Sequence, residues 1–488
     1  MSTQPTKAAS SRYPWMVLSV TSLGVMLTLL NVGTLNVALP VVSAHFHATA
    51  TTANWILLSY LLFNTIFILI FGRIADMFGR RRLYIIGLSA FTVVSLLIGF
   101  APNIWVLLVL RAIQAAGGAI VVTNTTPLLT DAFPAKTLPK GLGINVLVAS
   151  VAQLIGPVVG GFFASDLGWQ WVFWFNVPFG IVGVVWAMMT LRKSSTTGTR
   201  EPFDIPGNIL IFFALGGAIL ALSEGSTLGW GNPLVIAGLL AFVILTPIFL
   251  RVEWKSKSPL MDLRLFGQRR YAMAYASTFL NSFARSAVVL LMALYYETLN
   301  HASAFTAGLA VLPVTIGMVL LSPVAGSLAS RYDARLLSST GLGLSGVGVL
   351  ILIFEVGPTS SFAVAAIGMF LVGAGTALFM TPNTSSIMTT IDPAHRGSAN
   401  GLRSMLQNMG QVISTALSLM IVTANLPPRL QSSIYEGSTG AIPTNDVHLI
   451  VVGFRYALLA MLVATIIGMF TSLVRGQRPV NPTKSSMR

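Results

Sequence analysis

The chain has 488 residues, of which 54% are hydrophobic and only 9% charged, with a mean hydropathy of +0.79. Soluble domains carry about 25% charged residues, so a set of aqueous cores is excluded and the membrane is the relevant solvent. The absence of cysteine excludes disulfides, thiol catalysis and cysteine metal sites, while the formal charge of +15 fits either a nucleic-acid partner or a charge bias across a bilayer, which only its placement separates.

A bilayer core about 30 Å thick needs about 20 apolar residues per helix. Fourteen runs qualify, near 15–39, 53–72, 83–101, 104–130, 141–163, 172–191, 205–224, 233–250, 272–297, 305–328, 336–356, 361–384, 401–424 and 448–474. The polar start "MSTQPTKAASSRYPW" enters the first run without a small-residue cleavage site, so that run reads as a membrane helix and not as a removed signal. Pro102 and Asn103 part the third run from the fourth. The even count puts both termini on one side. The joints "GRRR" (79–82), "RK" (192–193), "RVEWKSKSPLMDLRLFGQRR" (251–270), "RYDAR" (331–335) and the tail from Arg475 are basic, and on the other side only Arg429 lies clearly in a loop. Lys and Arg gather in cytoplasmic loops, so both termini are expected in the cytoplasm. The +15 therefore orients helices and predicts no nucleic-acid partner.

In the first run, Thr21, Gly24, Thr28 and Asn31 share one helical face, whereas Asn36 stands about 140° round from Asn31. Asn31 is expected to look into a cavity and Asn36 to bridge helices. The joint after the second run, "GRIADMFGRRRL" (72–83), offers Gly72, Asp76, Gly79 and Arg80. Asp131 ends the fourth run on the same side, so a carboxylate–guanidinium latch between access states is expected there.

Arg111 lies well inside the fourth run, where burying an arginine costs about 2.5–3.5 kcal/mol on insertion scales, so it needs a partner or a wet cavity. Gln114, Gly118 and Thr125 fall on its face and predict an inward polar stripe. In the fifth run Gly156, Pro157, Gly160 and Gly161 permit close helix approach and a kink. The ninth run repeats the embedded cation with Arg285 beside Ser277 and Asn281. The thirteenth does so with Arg403, Gln407 and Gln411, although Arg403 lies near enough to the start of that run to snorkel. Asn31 and Arg285 are expected to face one cavity.

The segment 72–83 is echoed by "GSLASRYDARLL" (326–337), and "TNTTPLLTDAFPAKTLPKGLG" (123–143) by "TPNTSSIMTTIDPAHRGSANGL" (381–402). Runs one to six thus look duplicated as nine to fourteen. This divides the chain into 1–192, an inserted helix pair with its linkers at 193–271, and 272–488. Repeated halves characterise secondary transporters, whose substrate sites lie at the repeat interface near the midplane.

"GRIADMFGRRR" resembles the loop motif of the major facilitator superfamily. "LRAIQAAGG" (110–118) resembles its helix-4 motif, "AQLIGPVVGG" (152–161) its antiporter-associated helix-5 motif, and "GWQWVFWFNVPFG" (168–180) the helix-6 signature of its fourteen-helix drug:proton antiporters. The resemblance covers essentially the whole chain. It implies an all-α membrane protein of two six-helix bundles plus an inserted pair, acting as a monomer without cofactor or metal. The implied activity is export of amphiphilic small molecules by alternating access, coupled to protons. Substrate would meet Asn31, Arg111, Gln114, Asn281, Arg285, Gln407 and Gln411. Gating and coupling would fall to Gly72, Asp76, Gly79, Arg80, Asp131, Gly156 and Pro157.

Two positions depart from the pattern. Met77 stands where the family usually has a base, and Asn31 where these antiporters usually carry an aspartate. An amide cannot titrate, so the expected proton carrier is missing, and a cavity with arginine and no acid should disfavour organic dications. An uncoupled facilitator, a carrier of an anionic metabolite or lipid, and a channel or receptor on a transporter scaffold are the alternative readings. An enzyme is not expected: the chain has no His-Glu-x-x-His, no Gly-x-Ser-x-Gly and five scattered histidines, and "GLGLSG" (341–346) lies inside an apolar helix with no strand before it. No P-loop suggests an ATP-driven pump.

Overall fold

The computed structural model describes residues 12–48, 50–192, 204–256, 264–300, 302–357, 360–424, 426 and 444–475. Lys193, Arg429 and the tail beyond Arg475 lie outside the described residues. Within them fourteen helices are long and apolar enough to cross a membrane, and there is no strand. They are α1 (Tyr13–His45), α2 (Trp55–Phe78), α3 (Arg80–Ile98), α4 (Ile104–Ala132), α5 (Leu138–Phe162), α6 (Trp171–Thr190) and α7 (Ile205–Leu222). The series continues with α8 (Pro233–Lys255), α9 (Arg269–Leu299), α10 (Thr306–Ala329), α11 (Ala334–Glu355), α12 (Phe362–Thr390), α13 (Pro393–Thr423) and α14 (Val447–Val474).

Local sequence sets the helix ends. Asn103 accepts from the Val106 N–H at 3.0 Å, Asp204 from Gly207 at 2.9 Å, Asn232 from Leu234 at 2.9 Å and Asp333 from Arg335 at 2.8 Å. Each satisfies an amide that the first helical turn leaves without a partner. Between α2 and α3 the chain reverses at a single residue, Gly79, whose φ of 94° only glycine adopts freely. Seven residues into α13, counted from the α-helical start at Arg396, Arg403 is buried, so it does not snorkel.

Helices α1 to α6 pack among themselves, as do α9 to α14. The pair α7–α8 packs on itself and touches α2 and α13 through α7. Leucines and isoleucines, with Val243 and Trp254, cover the outside of α8, which matches a helix set against lipid. The two groups meet chiefly along α2 against α13 and α5 against α10. We call the end that bears Arg80, Arg81, Arg82, Lys255, Arg269 and Arg335 the basic face, and the other end the opposite face.

Candidate functional site

Two constellations emerge, one at the basic face and one at mid-depth. At the basic face Asp76, near the end of α2, reaches across to the start of α13. Its carboxylate accepts the N–H of Gly397 at 2.9 Å, the N–H of Ser398 at 2.8 Å and the hydroxyl of Ser398 at 3.0 Å. An acid of one helix group therefore caps a helix N-terminus of the other, where free amides and the helix dipole favour an anion. Asp76 also accepts from Arg80 at 2.9 Å. Arg80 donates further to Asp131 and to the carbonyl of Pro393, and Arg396 reaches Asp131 at 2.7 Å.

Side by side with this network the backbones touch. A Cβ built on Gly397 would lie 2.5 Å from the Gly72 carbonyl oxygen, and one on Gly143 of α5 would lie 2.5 Å from the Ser322 carbonyl oxygen of α10. Asn400 donates to the Thr123 carbonyl at 2.8 Å, and Asn408 to the Thr65 hydroxyl at 3.2 Å. The seal between the groups thus runs from the basic face to about half the length of α2 and α13. Ser398, Asn400, Gly143 and Gly326 were not singled out in the sequence. The echo of 123–143 at 381–402 was the available signal, because "DPAHRGS" is a helix start facing the acid-bearing joint. Met77 takes part in no ion pair.

Mid-depth polar residues divide differently from expectation. Asn31, Arg111 and Gln114 do not line a shared cavity with Arg285: all three are sealed inside the first group. Arg111 donates to Asn31 Oδ1 at 2.7 Å, to Gln114 Oε1 at 2.7 Å and to the Ile56 carbonyl at 3.2 Å, and lies 4.5 Å over the Tyr60 ring. Gln114 passes the chain on to Ser95 at 2.7 Å, and Thr125 bonds within its own helix. The stripe looks toward α1, α2 and α3, since a guanidinium in a membrane is held most cheaply by close acceptors. Asn36 is exposed and makes no hydrogen bond to any described residue, so it does not bridge helices here.

Asn31 Nδ2 is fully buried and has no acceptor among the described residues, which costs about 1–3 kcal/mol. Asn31→Asp would remove that orphan donor and set a carboxylate against Arg111. The expected outcome is a gain of about 1–3 kcal/mol at neutral pH, checked by thermal unfolding of the purified protein in detergent. An unchanged or lower transition temperature would contradict it.

In the second group Arg403 is held by neutral acceptors, Asn400 Oδ1 at 3.0 Å, Gln407 Oε1 at 3.2 Å and Ser404 Oγ at 3.2 Å. Arg285, midway along α9, is half-buried and has no hydrogen bond, ion pair or ring contact with any described residue. Asn281, one turn earlier, is likewise without a hydrogen bond. Gln411 and Thr415 are exposed on α13 beyond the seal. Gly156 and Pro157 belong to a tight α1–α5 crossing: Cβ atoms on Gly156 and Gly160 would come within 3.0 Å of Gly33 Cα and 2.2 Å of the Thr34 oxygen. Close packing accounts for both glycines.

A helical membrane protein with two packed groups, a polar interior and a charged seal at one end has the build of a carrier. The family model described as Major Facilitator Superfamily matches residues 21–260 and 274–488, and the chain belongs to that superfamily. It is 32% identical over 429 residues to the multidrug resistance protein Stp of Mycobacterium tuberculosis H37Rv, covering 87% of this chain and 79% of that one. It is 30% identical to the riboflavin transporter RibZ of Clostridioides difficile, covering 82% and 87%. The crystal structure of the human organic anion transporter MFSD10 superposes with a TM-score of 0.67 at 15% identity, over 94% of this chain and 99% of that one. At that identity the likeness speaks for the fold alone. The chain is a multi-pass membrane transporter and not an enzyme.

Proposed function

We propose that this transporter exports amphiphilic small molecules from the cytoplasm across the cell membrane by alternating access, as a single chain, with its basic face and both termini cytoplasmic. The seal carries this reading. Charge-assisted hydrogen bonds and glycine contacts that cross between the helix groups are concentrated at the basic face, while beyond them Gln411 and Thr415 are exposed and Arg285 partly so. That is the pattern of a state closed to the basic side and reachable from the opposite one, in which the groups 1–192 and 272–488 rock about the interface with 193–271 at its flank. The basic joints support the orientation. The name of the Mycobacterium relative supports efflux, and that of the Clostridioides relative shows that the family also includes a riboflavin carrier. Proton exchange is the drive that the resemblance implies, yet its expected carrier position holds Asn31.

The test is gradient-free exchange. Proteoliposomes preloaded with N-phenyl-1-naphthylamine, ethidium or 1-anilinonaphthalene-8-sulfonate should exchange the same dye faster than they release it into dye-free buffer. Saturable flux without acceleration by the dye on the far side would instead mark a channel, and no protein-dependent flux of any of the three would end this reading.

A further inference from the structure

Arg111, Arg285 and Arg403 stand at depth in the membrane-crossing helices, and none of the three has a carboxylate partner among the described residues. Arg111 and Arg403 are held by amides, hydroxyls, a carbonyl and an aromatic ring. The ion pairs found between described residues gather at the basic face, among Asp76, Arg80, Asp131 and Arg396. Neutral acceptors orient a guanidinium without cancelling its charge, so the interior keeps a positive field that low dielectric strengthens.

Arg285 is the part of this field that a ligand can reach. It is midway along α9, partly accessible and unmatched by any described side chain. The helices packed on α9 carry no acid near mid-depth: α10 and α12 have no charged residue, α13 carries His395, Arg396 and Arg403, and α14 carries His448 and Arg455, with Asp446 in the turn just before it. On α9 itself the other charges are Arg269 and Arg270 at the basic end and Glu297 three turns beyond Arg285. A cation left unpaired at such depth is costly, and a bound anion would remove that cost.

We infer that the substrates are amphiphilic organic monoanions, whose carboxylate or sulfonate pairs with Arg285 while their apolar part lies against the α9 and α13 side chains, and that the membrane potential alone drives their export. This rests on the carrier reading above. One negative charge leaves the cytoplasm in each cycle, down an inside-negative potential, and no proton is needed to balance charge or free energy. Each 100 mV sustains an outward accumulation of about fifty-fold. A cation exporter must oppose the same potential and needs a counter-moving proton; the uncharged Asn31 is no defect in an anion exporter.

The full-length protein in liposomes with 1-anilinonaphthalene-8-sulfonate as the probe tests this. A potassium gradient with valinomycin imposes a potential at equal pH in one arm, and a pH difference is imposed at zero potential in another. The expected result is protein-dependent accumulation that follows the potential, vanishes when the potential is collapsed and ignores the pH difference. Arg285→Gln should lower sulfonate flux at least tenfold while sparing the neutral N-phenyl-1-naphthylamine, and Arg285→Lys should keep the preference for the anion. Accumulation that follows the pH difference, or an unaltered sulfonate flux in Arg285→Gln, overturns the inference. Loss of sulfonate and neutral flux alike in Arg285→Gln, with Arg285→Lys normal, would also overturn it, because the charge would then serve the carrier and not the anion. Exchange of the neutral or cationic dye without the sulfonate would refute the inference and leave the carrier reading intact; absence of all exchange would refute the carrier reading.

Discussion

Replacing Asp76 by asparagine is expected to lower transport at least tenfold while the protein remains folded in the membrane. In the sealed state this carboxylate accepts two backbone amides and a hydroxyl from the start of α13 and a guanidinium hydrogen from Arg80. An asparagine keeps the size of the group but turns an NH2 toward one of these donors, so at least one acceptor contact becomes a clash of donors. Hydrogen bonds to charged groups contribute about 1.5–3 kcal/mol each, and truncating one member of a buried charged network costs about 3–5 kcal/mol. The loss falls on the closed state alone, because an opened basic face lets water replace the carboxylate at both ends. A bias of that size moves a two-state population by about two orders of magnitude. The chain has no cysteine, so accessibility can be read from one introduced thiol. Leu69→Cys suits this, since Leu69 is fully buried where α2 meets α13. Its labelling from the basic side by an impermeant maleimide should rise at least tenfold with Asp76→Asn, and unchanged labelling with normal flux would remove the latch.

Gly397→Val should produce the same shift by a steric route. The new Cβ would meet the Gly72 oxygen at 2.5 Å and Asp76 Oδ1 at 2.6 Å; most of these are backbone or firmly held atoms that cannot give way, and overpacking of this kind costs about 1–3 kcal/mol or more. Alanine at the same position is the gentler form. In a helix it is about 1 kcal/mol better than glycine, so the helix itself is not weakened and only the α2–α13 approach is penalised. Gly143→Ala should act similarly on the other side of the seal, against the Ser322 oxygen. Gly161→Ala is the control, because its Cβ would meet only Val37 Cγ1 at 3.7 Å, an ordinary contact. The Leu69→Cys thiol should therefore label faster with Gly397→Ala and Gly143→Ala and at the original rate with Gly161→Ala. Equal rates in all three would show that the glycine contacts do not hold the basic face shut.

The sequence by itself determined the number of membrane-crossing helices and their ends to within about eight residues. Helix length against a fixed bilayer thickness and caps such as Asn103 and Asp333 are local properties, legible in a one-dimensional string. It also determined that Arg111 and Arg285 must be answered by something, because a guanidinium at that depth is costly wherever it lies. Only the tertiary structure decided what answers them. Helical spacing places Asn31 and Arg111 on faces of their own helices but carries no information about which helices adjoin. Arg111 therefore found Asn31 and Gln114 within its own group, and Arg285, expected to share their cavity, has no partner among the described residues. The same holds for Asp76, which besides Arg80 of its own motif takes as partner a helix start about 320 residues away that no local motif could name. Backbone amides have no letter in a sequence, and they acquire a role only when folding brings a helix terminus against a charge.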